Sequence, residues 1–130
     1  MGLLDRFRSK SPDDPQTSGD EVGFRLTDEG KGRASLTLYL GDLPTDGVVA
    51  EAGEEPNGAF WEGVTAYLDP DLASHVEMDS EGSMFAVGGD RADLEQLRQL
   101  LTPLAHEPKA MRHLLHRAQV DGVTLEGFAQ

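Results

Sequence analysis

Four histidines are the residues of this chain best suited to metal or acid–base chemistry: His75, His106, His113 and His116. His113 and His116 stand three apart, which puts them on one face of a helix, and His106 with Glu107 lies one turn or loop earlier. That is half of a metal site. The helical zinc motif sets its histidines four apart around a glutamate, and that spacing is absent. The simpler reading is a solvated polar face opposite Met111, Leu114 and Leu115. Paired carboxylates also occur, as in Glu54-Glu55 and Asp69 with Asp71. Glycoside hydrolysis needs two carboxyls across one cleft, and a chain this acidic yields such pairs by chance. Asp79-Ser80-Glu81-Gly82 begins like a calcium loop but lacks the distant bidentate glutamate, so Asp79 and Glu81 read as flanks of a hairpin turn. Gly88-Gly89-Asp90 precedes a helix N-terminus, which can hold an anion, yet Asp90 and Asp93 oppose phosphate there. No glycine-rich nucleotide fingerprint, serine nucleophile elbow or basic-aromatic stripe is present. The chain therefore reads as a non-enzyme with no catalytic residue, metal or cofactor. The alternatives are a small metal- or ligand-binding domain, with hydrolysis through the histidine cluster as one use of it, and a cytosolic adaptor.

Charge points to a partner instead. The net charge of the 130-residue chain is -13. Between Ala34 and Asp90 there is no lysine or arginine, against twelve acids. The segment from Arg91 to Ala118 is mildly basic, with Arg91, Arg98, Lys109, Arg112 and Arg117 against Asp93, Glu95 and Glu107. A field of one sign repels nucleic acid and anionic lipid and attracts basic surfaces. The competing reading is acidity for solubility alone. The partner-binding candidates are Glu51, Glu54, Glu55, Glu62, Asp69 and Asp71, with the first three clustered just before Asn57-Gly58.

The elements that would position these residues follow from periodicity. Val22, Phe24 and Leu26 alternate with Gly23 and Arg25, as do Leu36, Leu38 and Leu40 with Ser35, Thr37 and Tyr39, across a turn at Asp28–Gly32. A short helix holds Val48, Val49 and Ala52 and closes at Gly53. A second runs from Ala59 to Leu68 and ends or kinks at Asp69-Pro70. His75 to Asp79 alternates again, Ser80-Glu81-Gly82 turns, and Met84–Val87 is a short apolar strand broken by Gly88-Gly89. Asp90 is placed to cap a helix striped by Leu94, Leu97, Leu101 and Leu104. Glu107-Pro108 starts the last helix. The order is ββαα, repeated twice. It predicts an α+β domain over 21–118, with an antiparallel sheet of about four strands and helices on one face. Residues 119–130 read as a tail or a docked extra strand.

One stretch stands apart. Asn57-Gly58-Ala59-Phe60-Trp61-Glu62-Gly63-Val64 carries the only tryptophan beside a phenylalanine. A lone tryptophan in a small domain is usually a core anchor; its other use is as an exposed interface hot spot. This stretch, then Glu77–Ala86 with its Gly82, Met84 and Phe85, then the leucine-rich helix ending near Leu104, resembles the immunity protein 51 family of bacterial polymorphic toxin systems. The resemblance spans about residues 22 to 118. Val87-Gly88-Gly89 stands where the family is expected to carry an aromatic-Gly pair. The resemblance implies an α+β protein that binds and neutralises a cognate toxin domain. With an acidic inhibitor, the partner is expected to be basic. It implies no particular contact residues, and nothing in the residues sets an oligomeric state.

Residues 1–20 are polar, carry Pro12 and Pro15, and lack apolar periodicity, so they read as a tail. The start, with Leu3, Leu4 and Phe7, is too short for the apolar stretch of a signal peptide, and Arg6 breaks the myristoylation pattern. It is at most a weakly amphipathic foot, as an adaptor would use. With no cysteine and no long apolar run, a cytoplasmic protein without stable membrane insertion is expected. Removing residues 1–20 should leave the thermal midpoint nearly unchanged; a large drop would show that Leu3, Leu4 and Phe7 pack on the domain.

Overall fold

The computed structural model describes residues 23–129. The N-terminal tail, with its Leu3-Leu4-Phe7 foot, and Val22 lie outside the described residues. Two hairpins build the sheet. β1 (Arg25–Gly30) pairs with β2 (Arg33–Tyr39), and β3 (Glu77–Met78) pairs with β4 (Met84–Asp90). The second strands of the two hairpins pair with each other, giving an antiparallel order β1-β2-β4-β3. The helices are α1 (Asp46–Glu51), α2 (Gly58–Leu68), α3 (Pro70–His75), α4 (Arg91–His106) and α5 (Pro108–Val120). The fold is α+β with a four-stranded antiparallel sheet, as the periodicity predicts.

The strand alternation sets the core face. Leu36 and Leu38 of β2 and Phe85 and Val87 of β4 are buried, while Ser35, Thr37, Met84 and Ala86 on the other face are half-buried. In register, Leu36 lies opposite Val87 and Leu38 opposite Phe85. α4 lays Leu94, Leu97 and Leu101 on β1, β2 and β4, and α2 packs on β4. α5 joins the core through α4 and α1, with Met111, Leu114, Leu115 and Ala118 buried. Burying a side chain of this size contributes about 1.5–3 kcal/mol.

Several local expectations change. The first turn is narrower than Asp28–Gly32: β1 continues to Gly30, and Lys31-Gly32 make a two-residue loop with φ of 58° and 77°. Two positive φ values suit the right-handed twist of a hairpin. His75 ends α3 rather than starting a strand, and α3 itself carries no sequence signal beyond Asp69-Pro70; the carboxylate of Asp69 accepts the N–H of Leu72 and starts it. Gly88 and Gly89 do not break β4. They pair with Ser35 and Ala34, and a Cβ on Gly89 would lie 3.3 Å from a side-chain methyl of Val76, the residue before β3, so the bare backbone leaves room for that side chain. Asp90 holds the N-cap position of α4 without a side-chain capping bond. Its carboxylate instead lies 3.8 Å from Arg33.

Residues 121–129 form neither a loose tail nor a strand. They are turns that dock on α2, with Leu125 fully buried. The ordered domain therefore runs past residue 118.

Trp61 is fully buried. It meets Phe24 and Phe85 with ring centroids at 6.4 Å and Phe60 at 5.9 Å, mostly edge to face, which suits the ring quadrupoles. That settles its core role. Its indole Nε1 has no hydrogen-bond partner among the described residues. Trp61→Ala should cost about 3–5 kcal/mol in urea unfolding. The wild-type emission should be blue-shifted; emission like that of free indole would contradict the burial.

Candidate functional site

Residues 57–64 and 77–86 meet at the N-terminus of α2. Asn57 caps this helix: its side-chain oxygen accepts the N–H of Phe60 at 2.9 Å. Gly58 follows, and its N–H donates to the carbonyl of Gly82 at 3.3 Å. A Cβ at Gly58 would lie 2.2 Å from the carbonyl oxygen of Glu81 and 3.0 Å from that of Met84. No side chain fits there. One turn on, the carboxylate of Glu62 accepts the backbone N–H of Ser80 at 3.1 Å. The Asn-Gly start and the Gly-Ser-Met-Phe hairpin are thus one packing unit, and Met84 and Phe85 leave it as β4.

The opposite flank of α2 receives the C-terminal segment. A Cβ at Gly63 would lie 1.7 Å from the carbonyl oxygen of Leu125. The two oxygens of Glu54 accept the backbone N–H groups of Leu125 at 2.7 Å and Glu126 at 3.1 Å. The amide of Asn57 donates to Glu126 at 3.0 Å. Phe128 packs edge to face on Tyr67. The hydroxyl of Tyr67 donates to the carboxylate of Asp121, and that bond, followed by desolvation and the negative charge of Asp121, raises the phenol above the ordinary tyrosine pKa.

The six partner-binding candidates therefore divide. Glu54, Glu62 and Asp69 are half-buried and hold backbone N–H groups within the domain. Glu51, Glu55 and Asp71 are exposed. Glu54 must be separated from its neighbours Glu51 and Glu55, because its carboxylate is a structural clamp. Asp46, another of the twelve acids, accepts the N–H groups of Gly41 and Leu43 at 3.0 and 3.1 Å. Sequence reasoning missed these roles. The only available signal was the position of Asn57 and Asp69 just before helical runs.

Two depressions border the acidic residues. The larger, about 490 Å³, lies beside α2 and α3. α2 supplies Glu62 and Ala66, α3 supplies Pro70, Ala73 and Ser74, and Met78 and Ala129 complete the wall. Asp69 and Asp71 flank Pro70 in the chain. The smaller, about 210 Å³, lies between α1 and α5, with Glu51, Arg112 and His116 on its rim. His106, His113 and His116 are exposed. Among the described residues no group of three or more His, Cys, Asp or Glu is placed to hold a metal ion. Nor is any described helix long and apolar enough to cross a membrane. Comparison of the chain with protein-family models, curated proteins and solved structures finds no match.

Glu54→Ala strands two backbone N–H groups, and Gly63→Ala drives a methyl into a backbone carbonyl. Each should lower stability by about 2–4 kcal/mol. Both loosen the same segment, so the double variant should cost clearly less than the sum. Additive losses in urea melts would mean that the two contacts act independently.

Proposed function

We propose that this protein is an immunity protein, a stoichiometric cytoplasmic inhibitor that neutralises a cognate toxin domain by covering a basic surface on it. The observation that carries the reading is the stretch from Ala34 to Asp90, which holds twelve acids and no lysine or arginine. Part of it is consumed inside the fold, but Asp42, Glu51, Glu55, Asp71, Asp79 and Glu81 remain exposed. The resemblance to the immunity protein 51 family supports the same class of function. So does the rigid mounting of the two stretches that carry it, since a preorganised surface loses less entropy on binding. No reaction chemistry is required of the protein in this reading; it acts by occupancy.

Charge complementarity of this kind mainly accelerates encounter and selects the partner. Exposed charges are screened beyond about 10 Å at 0.1 M salt. Association with the toxin domain encoded beside this protein should therefore slow steeply with salt, while dissociation changes less. Reversing Glu51, Glu55 and Asp71 to lysine should reduce the on-rate and leave the thermal midpoint in place, because none of the three carboxylates clamps a backbone N–H. Stopped-flow binding at two salt concentrations measures this. An on-rate indifferent to both salt and the triple reversal would remove the electrostatic mechanism; no complex at all would remove the immunity reading.

A further inference from the structure

The groove between α2 and α3 combines an apolar lining with one carboxylate. Its walls are small and apolar: Ala66 on α2, Ala73 on α3 and Met78 on β3. Its one charged lining residue is Glu62. That carboxylate is half-buried and fixed, because its Oε2 accepts the N–H of Ser80. Its Oε1 has no donor among the described residues. No lysine or arginine lines the groove, and the chain carries none from Ala34 to Asp90. At about 490 Å³ it is an open surface groove with room for one side chain.

An apolar channel with a single oriented carboxylate is the complement of one kind of side chain: a long methylene stem ending in a cation. Lysine and arginine both lay their stems along apolar surface and keep the head on a polar partner. We infer that this groove is the anchor site of the basic partner, receiving one lysine or arginine side chain whose stem lies on Ala66, Ala73 and Met78 and whose charge meets Glu62. This rests on the reading of the protein as a binder of a basic surface, and it names where that binding is concentrated. A charge pair on a half-buried carboxylate beside apolar surface is worth more than one between fully exposed groups. The acids at Asp69 and Asp71, on either side of Pro70, extend the attraction beyond the slot.

The groove is testable without the toxin. Isotope-labelled protein is titrated with N-acetyl-arginine methylamide, N-acetyl-lysine methylamide and N-acetyl-norleucine methylamide, with ionic strength matched by sodium chloride. Saturable shifts are expected for the methyl groups of Ala66, Ala73 and Met78 and the amide of Ser80 with the two cationic compounds, and the tighter of the two identifies the preferred head group. Glu62→Gln keeps an oxygen for the Ser80 N–H and should weaken binding at least about tenfold, a change of 1.4 kcal/mol. Ala73→Leu fills the slot and should abolish the shifts at the wild-type thermal midpoint; Glu62→Gln should stay folded, with a thermal midpoint lowered only by the weaker bond to Ser80. Equal binding of the norleucine compound, non-saturating shifts, or unchanged affinity in Glu62→Gln would overturn the assignment. The toxin-binding test is independent of this titration, so a complex that forms while the titration fails discards the groove alone.

Discussion

Everything in this domain is organised by two places where another backbone lies against α2 with no room for a side chain. At Gly58 the β3–β4 turn approaches to within a Cβ distance of 2.2 Å, and at Gly63 the C-terminal segment to within 1.7 Å. Trp61, Phe60 and Val64 occupy the core-facing positions of the same helix. α2 is therefore enclosed by sheet, hairpin and C-terminal segment at once. A helix buried this widely is apolar or small around most of its circumference. The Asn57-Gly58 start and Gly63 meet that demand.

Close backbone approach creates a second requirement, which acidic residues satisfy. Backbone N–H groups brought near a helix need acceptors. Glu54 supplies them for Leu125 and Glu126, Glu62 for Ser80, and Asp69 for Leu72. A carboxylate serves because it accepts two or more bonds and binds N–H groups more strongly than a neutral oxygen does. Part of the chain's acidity is thus internal architecture. The remaining exposed carboxylates are the ones available to steer a partner. Ion pairs such as Arg33 with Glu77 at 3.3 Å are exposed and contribute little to stability.

The same geometry couples two short stretches far apart in the chain. Residues 57–64 and 77–86 are one contact surface, and a change in either disturbs the other. Gly58 permits the contact, Gly82 returns the hydrogen bond, and Glu62 holds the turn at Ser80. Repetition of ββαα is likewise visible in space: the two hairpins join through β2 and β4, with each first strand at an edge. The extra helix α3 breaks the symmetry and, with α2, creates the groove.

The periodicity of two along β1, β2 and β4 and the leucine stripe of α4 were legible in the residues, because burying one face leaves a local record in the pattern. The core role of Trp61 was legible for a similar reason, since so few large apolar groups were available. Glu54 and Glu55 are chemically identical neighbours, and no local pattern separates them. What separates them is a segment 71 residues away whose N–H groups reach only Glu54. Gly88 and Gly89 look like a break because glycine weakens isolated strands; in the sheet they are held by Ser35 and Ala34, and Gly89 leaves room for the side chain of Val76. Residues 121–129 lack strand alternation or a helical stripe, so their docking depends on a surface that α2 offers only once folded. By itself the sequence determined the alternation, the helical stripes and the surplus of charge, which are sums over neighbours along the chain. Tertiary structure decided which carboxylates are clamps, which are exposed and where a groove opens, because those depend on backbone groups that meet only across long separations.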